Sequence, residues 1–188
     1  LHLCDQHLSH MQADKINSKD NLLLEVCLAA KYEGESLVEK HKKFKQDNSD
    51  FNTNICTVLA RSFADIGDIV RGKDLFYGNT QESKQREQLD ENLKRIFGKI
   101  HDEVTKTNGE AAKKHYEDAT GNFFKLREDW WALNRRDVWK AITCGAGKHD
   151  KYFRPTCAGE KRTETYDKCL CADTEVPTNF DYVPQYLR

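Results

Sequence analysis

Apolar residues recur in steps of three and four along the chain as far as Gly145, and the pattern then stops. Leu23, Val26, Cys27 and Ala30 mark a short helix from Leu22 to Tyr32, with Gly34 just past its end as the terminator. Glu35 to Asn54 is polar and reads as irregular, apart from a turn of helix between Ser36 and Phe44. A second helix is predicted from about Thr53 to Arg71. Ile55, Val58, Leu59, Phe63, Ile66, Ile69 and Val70 form its buried stripe, and Gly72 ends it. A third runs from Glu82 to Lys106 on Leu89, Leu93, Ile96, Ile100 and Val104, with Phe97 widening the stripe. Asn108-Gly109 turns the chain into a short helical segment from Glu110 to Asp118. Gly121-Asn122 then restarts it into a fourth helix. There Phe123, Leu126, Trp130, Leu133 and Ile142 share one face, flanked by Phe124, Trp131, Val138 and Trp139.

The prolines, Pro155, Pro177 and Pro184, all follow these segments, so nothing earlier breaks a helix by that route. Short connections between amphipathic helices predict an antiparallel bundle and a mostly α fold. Beyond Gly145, glycine, proline, threonine and cysteine dominate, which predicts a disulfide-pinned loop region. Gly67 sits in mid-helix, where glycine costs about 1 kcal/mol against alanine, so a bulky neighbour such as a tryptophan is expected against it. Trp130 and Trp139 are assigned to the core. Trp131, about 100° around the helix from Trp130, is expected to be partly exposed.

Composition narrows the function. A length of 188 residues gives room for one domain with a real core, and 30 basic against 31 acidic residues leave no overall field that would draw nucleic acid or a lipid surface. Mean hydropathy is −0.83, and no stretch approaches the ~20 apolar residues of a membrane helix. Motifs for nucleophilic, metal-dependent or phosphate-loop catalysis are missing, so a non-enzymatic role without a cofactor is expected. The histidines (His2, His7, His10, His41, His101, His115, His149) are scattered without ligand spacing, apart from the loose His7/His10 pair near the N-terminus.

Seven cysteines, an odd count, leave at least one thiol free or paired outside the chain. If the second and fourth helices run antiparallel, Cys56 and Cys144 fit an inter-helix staple, closing a loop worth about 4 kcal/mol in the chain-entropy picture. Cys157 is expected to pair with Cys169 or Cys171. A zinc site from Cys144, His149, Cys157, Cys169 and Cys171 is the rival reading, which the C-x-C spacing of Cys169 and Cys171 argues against. Basic residues cluster at Lys40, His41, Lys42, Lys43 and Lys45; at Lys113, Lys114 and His115; at Arg135, Arg136 and Lys140; and at Lys148, Lys151, Arg154, Lys161 and Arg162. Each is either ordinary solvated surface or a site for a polyanion such as a sulfated sugar.

Two segments carry a resemblance. Ala60 to Phe76 (ARSFADIGDIVRGKDLF) and Asn122 to Cys144 (NFFKLREDWWALNRRDVWKAITC) resemble, almost word for word, the two blocks of the alpha-class Duffy-binding-like domain of the Plasmodium falciparum erythrocyte membrane protein family. Leu1-His2-Leu3-Cys4-Asp5 is similar to the family's opening motif, Asn21 to Gly34 to its first conserved helix, and Val176 to Arg188 to its exit motif. Between these, Glu35 to Asn54, Tyr77 to Glu117 and Gly145 to Asp173 match only in character.

The resemblance implies a Duffy-binding-like fold divided into an N-terminal subdomain (1–50), a helical-bundle subdomain (51–144) and a disulfide-pinned region (145–188) leading to a third subdomain outside this chain. It implies a Cys4–Cys27 pair, and a partner beyond Arg188 for whichever of Cys169 and Cys171 is left over. It implies adhesion to an erythrocyte or endothelial receptor, heparan sulfate or a blood-group glycan, beside neighbouring adhesin domains. The setting would be the infected red-cell surface, with no membrane insertion by this segment and no nucleic-acid partner. The alternative is a structural and antigenic segment whose neighbouring domain carries the adhesion.

Overall fold

A computed structural model describes residues 8, 11, 13–16, 18–50, 52–74, 80–157 and 161–188, the side chains of 80–82 excepted. The opening motif with Cys4, His2, His7 and His10 falls outside them. Among the described residues there are four α-helices and no strand: α1 (Lys19–Asp47), α2 (Ile55–Arg71), α3 (Thr80–His115) and α4 (Phe124–Ile142). Two short 3-10 turns follow, Phe180–Tyr182 and Gln185–Leu187. The fold is mostly α, as the periodicity predicts. No helix among the described residues is long and apolar enough to cross a membrane.

Local chemistry sets the helix ends. Ser18 starts α1, its hydroxyl accepting from the Asn21 amide at 3.2 Å, and Asn54 starts α2 by accepting from the Thr57 amide at 3.1 Å. Gly72, at φ 70°, closes α2 in the left-handed conformation, with its amide donating back to Asp68 and Ile69. Gly109, also at positive φ, breaks α3 at the predicted turn. Before α4, Asp118 accepts from the Thr120 amide at 2.7 Å and from the Phe123 amide, holding the loop that delivers the helix.

The first helix is far longer than predicted. Gly34 does not end α1; it lies inside it, where a Cβ would sit 1.9 Å from the carbonyl oxygen of Ile142. The glycine serves close helix approach, and the polar stretch from Glu35 to Asp47, read as irregular, continues the helix past that contact.

Contacts along the helices give their directions. Arg127 donates to Val70 O, Trp131 lies against Gly67, and Arg135 stacks over Phe63, so α4 runs antiparallel to α2. Glu33 accepts from Ser62 at 3.0 Å and His41 meets Thr53 at 3.0 Å, so α1 is also antiparallel to α2. Gly34 meets Ile142 and Val38 lies near Gly145, which makes α1 and α4 parallel. Helix α4 is therefore covered on two sides, and its buried stripe is broad. Trp131 is 0% exposed, against the expectation of partial exposure, and Trp130 and Trp139 are buried too. Leu133, placed on the core face from sequence, is 82% exposed because it lies roughly 130° around the helix from the middle of that stripe.

The cysteines pair differently from the inter-helix staple. Cys56 bonds to Cys169 and Cys157 to Cys171, while Cys27 and Cys144 have no disulfide partner among the described residues. Cys144 leaves α4 on its solvent side. Cys169 takes the place against Cys56 because its amide donates to Asp150 O at 2.8 Å and its carbonyl accepts from the Trp139 indole at 3.2 Å. Three of the five residues of the zinc alternative are thus tied up in disulfides. The resemblance-implied partner of Cys27, Cys4, lies outside the described residues.

Candidate receptor-binding surface

Two buried arginines organise the core beneath this surface. Arg127, 0% exposed, donates to Val70 O at 2.7 Å and Ile69 O at 3.1 Å, and to Asp90 at 3.0 Å. A cation at the C-terminal carbonyls of α2 meets the negative end of the helix dipole. Burial pulls the Arg127 pKa down and Asp90 opposes that pull. Arg71 donates to Gly67 O and pairs with Asp68 at 2.9 Å and Glu128 at 3.1 Å, and it also donates to Asp181 O. Burial pushes the Glu128 carboxyl up, but Lys73 and Arg71 outweigh it and hold it below its ordinary value.

The C-terminal segment is clamped onto this core through Asp181. Its carboxylate accepts from the Trp131 indole at 2.9 Å and takes a two-pronged contact from Arg135 at 2.8 and 2.7 Å. Arg135 also donates to Thr178 O at 2.9 Å and stacks 5.2 Å from the Tyr182 ring. Arg188 continues the network to Asp68 and Asp65. Sequence reasoning passed over Arg71, Arg127 and Asp181, whose partners lie far away along the chain.

This geometry sorts the basic candidates. Arg135, with a side chain 13% exposed and both prongs on Asp181, is committed to holding the C-terminal segment. Arg136 is paired with Glu175, Lys43 with Glu39, Lys113 with Glu110, Lys140 with Asp137, and Lys151 with Glu164. Lys40, Lys42 and Lys45 project from the exposed last turns of α1, and Lys114 and Lys148 are likewise exposed. Arg154 is exposed and lies 5.1 Å over the Phe153 ring. The α1 lysines stand at one helix end, and Arg154 stands in the disulfide-pinned loops.

The sequence matches the Duffy binding domain family over residues 1–188. Comparison with curated proteins gives no significant match. Among solved structures, the chain is similar to the NTS-DBL1(alpha-1) domain of the Plasmodium falciparum membrane protein 1 (PfEMP1) from the varO strain, at 41% identity and TM-score 0.76, over 99% of this chain and 40% of that one. It is similar to the NTS-DBL1-alpha and CIDR-gamma double domain of the same strain at 40% identity and TM-score 0.77, over 99% of this chain and 25% of that one. The ICAM-1-binding PfEMP1 IT4var13 DBLbeta domain is 29% identical at TM-score 0.66, over 100% of this chain and 39% of that one. The chain therefore spans well under half the length of the solved proteins it matches. With the family matched from end to end and the fold shared at about 40% identity, the chain belongs to the Duffy binding domain family.

Proposed function

We propose that this chain is part of a host-receptor adhesion domain of a parasite variant surface protein, displayed outside the infected red cell. The observation that carries this reading is the whole-length family match, supported by likeness to a solved domain described as ICAM-1-binding. Its work would be surface complementarity and local positive charge, with no bond made or broken. The α1 lysines are the exposed charge best placed for a receptor or sulfated glycan, because Arg135 is committed to the fold.

The test is binding of the oxidised chain to intact erythrocytes, endothelial cells and heparin across a salt series. Saturable, salt-sensitive binding by protein with the helical circular dichroism of the fold supports adhesion by these 188 residues. No binding from folded protein would overturn that reading in favour of a structural and antigenic role beside an adhesive neighbour.

A further inference from the structure

Surface cavities among the described residues differ in charge. One at the end of α2 is lined by Asp74, Glu87 and Asp90 beside Arg86, and one under the C-terminal segment by Asp68 and Asp181 beside Arg71 and Lys73. Another, a groove of about 370 Å³ between residues 152–156 and 176–183, is lined by Arg154 and Arg162 and by no acidic residue. Both of these arginines are exposed, and neither has an ion-pair partner among the described residues, where Arg136, Lys140 and Lys151 each have one.

The groove offers flat faces as well as charge. Arg154 lies 5.1 Å over the Phe153 ring, and a guanidinium stacked on an aromatic face still donates from its N–H edge. The Tyr152 and Phe153 rings are 4.8 Å apart, and Phe180 adds a third ring to the lining. Asn179 is exposed in the lining, and its side chain does not cap the 3-10 turn that follows it. Its carboxamide is open to a ligand.

The walls are fixed before any ligand arrives. The Cys157–Cys171 disulfide and the Cys157–Thr163 bridge tie the segment bearing Arg162 to the groove. Tyr152 Oη donates to Thr178 at 3.2 Å and Thr156 donates to Pro177 O at 2.6 Å, binding one wall to the other. Such preorganisation lowers the ordering cost of binding, and the volume lies near the lower end of the about 300–1,000 Å³ of small-molecule sites.

Each feature selects a chemical group. A planar ring extends a stack on the guanidinium–phenyl pair, whereas a saturated ring has no π face to place there. Guanidinium edges with no carboxylate among them suit a phosphate, which accepts forked contacts. A carboxamide sets a donor beside an acceptor, which matches N6 and N7 of adenine and not the paired acceptors of guanine. A nucleotide carries all three groups in one molecule. A nucleic-acid strand would need a longer basic track than two arginines, in a chain whose 30 basic and 31 acidic residues balance.

We propose that this groove binds an adenine mononucleotide. Arg162 and the N–H edge of Arg154 take the phosphate, the Arg154–Phe153 stack takes the base, and Asn179 reads the base edge. The site goes beyond the adhesion reading and does not rest on it, so its test needs no cells. The oxidised chain is titrated calorimetrically with AMP, adenosine, ribose 5-phosphate and GMP. AMP should bind with one-to-one stoichiometry, adenosine and ribose 5-phosphate about tenfold or more weaker, and GMP severalfold weaker. R154Q and R162Q should each weaken AMP about tenfold, and N179A should bring AMP to the level of GMP. K106Q, which removes an exposed charge on α3 outside the groove, should leave binding unchanged. All of these positions are exposed, so melting temperatures should match the parent and report intact folding. No AMP binding by the folded parent, or an unchanged R154Q/R162Q double variant, would overturn the site. Ribose 5-phosphate or GMP binding as tightly as AMP would overturn the reading of the base. Equal weakening by K106Q would mark the binding as general charge attraction and overturn it too.

Discussion

Gly67 faces the indole of Trp131 so closely that a Cβ on Gly67 would fall 2.7 Å from Trp131 Cζ2. The ring cannot retreat. It is fully buried, lies 5.2 Å from the Phe63 ring and is tied through its N–H to Asp181. The glycine lets α2 and α4 approach, and Arg71 and Arg127 seal the same interface with hydrogen bonds.

Gly67→Ala should therefore destabilise the protein although alanine is the better helix former. The propensity gain is about 1 kcal/mol, whereas overpacking a filled core costs about 1–3 kcal/mol. A net loss of up to about 2 kcal/mol is expected in urea unfolding. A more stable G67A variant would mean that the contact is soft.

Asp181→Asn should loosen the C-terminal segment. It strips the negative charge facing the part-buried Arg135 guanidinium, a change whose upper limit is the about 3–5 kcal/mol of breaking a fully buried pair. Faster proteolysis within residues 173–188, together with a lower melting temperature, is the expected readout. Reversing Arg135 should do similar damage, so lost heparin retention in an Arg135 variant would report misfolding and not a ligand contact. Unchanged proteolysis in both variants would contradict the clamp.

The disulfides should differ in weight. Cys56–Cys169 spans 113 positions and Cys157–Cys171 spans 14. Chain entropy then predicts losses of about 5 and about 3 kcal/mol when each pair is replaced by alanine. Equal or reversed losses in denaturant melts would show that native contacts, and not loop closure, set their value.

The free thiols should separate by reactivity and pH. Burial first, and Asp137 second, push Cys27 up to about 11, from an ordinary thiol value of 9.0. Its folded-state pKa is raised, so its stabilising contribution is complete below pH 9 and is lost as pH rises towards 11. Peptide mapping after alkylation near pH 8 should find Cys144, which is exposed, modified well before Cys27. A Cys27→Ala variant should lose less stability than the parent between pH 9 and 11. Equal labelling of the two thiols would place Cys27 in water.

The sequence made the helices legible wherever a stripe repeated without interruption, as in α2 and α3 up to Gly109. It failed where a residue's meaning lay in a distant partner. Gly34 looked like a terminator because glycine after an apolar run usually is one, and only the Ile142 carbonyl reveals its purpose. Leu133 and Trp131 exchanged places because periodicity defines a stripe but not how many neighbours cover it. Arg135 and Arg136 read as one basic pair, yet the first is answered by Asp181, 46 positions later, and the second by Glu175. A cluster in sequence is a cluster of available charge only after such partners are known.

The α1 lysines are where available charge does survive, and they give the last prediction. Lys42 and Lys45 lie within about 60° of each other on the exposed final turns of α1. K42E/K45E should weaken retention on polymeric heparin and reduce any red-cell binding severalfold at low ionic strength. R136E, whose parent side chain is already balanced by Glu175, should have a smaller effect. The difference should fade towards 1 M salt, where the Debye length is about 3 Å and exposed charges no longer act at a distance. These substitutions face solvent, so folding should be preserved. Identical salt curves for parent and K42E/K45E would remove this helix end from the binding surface.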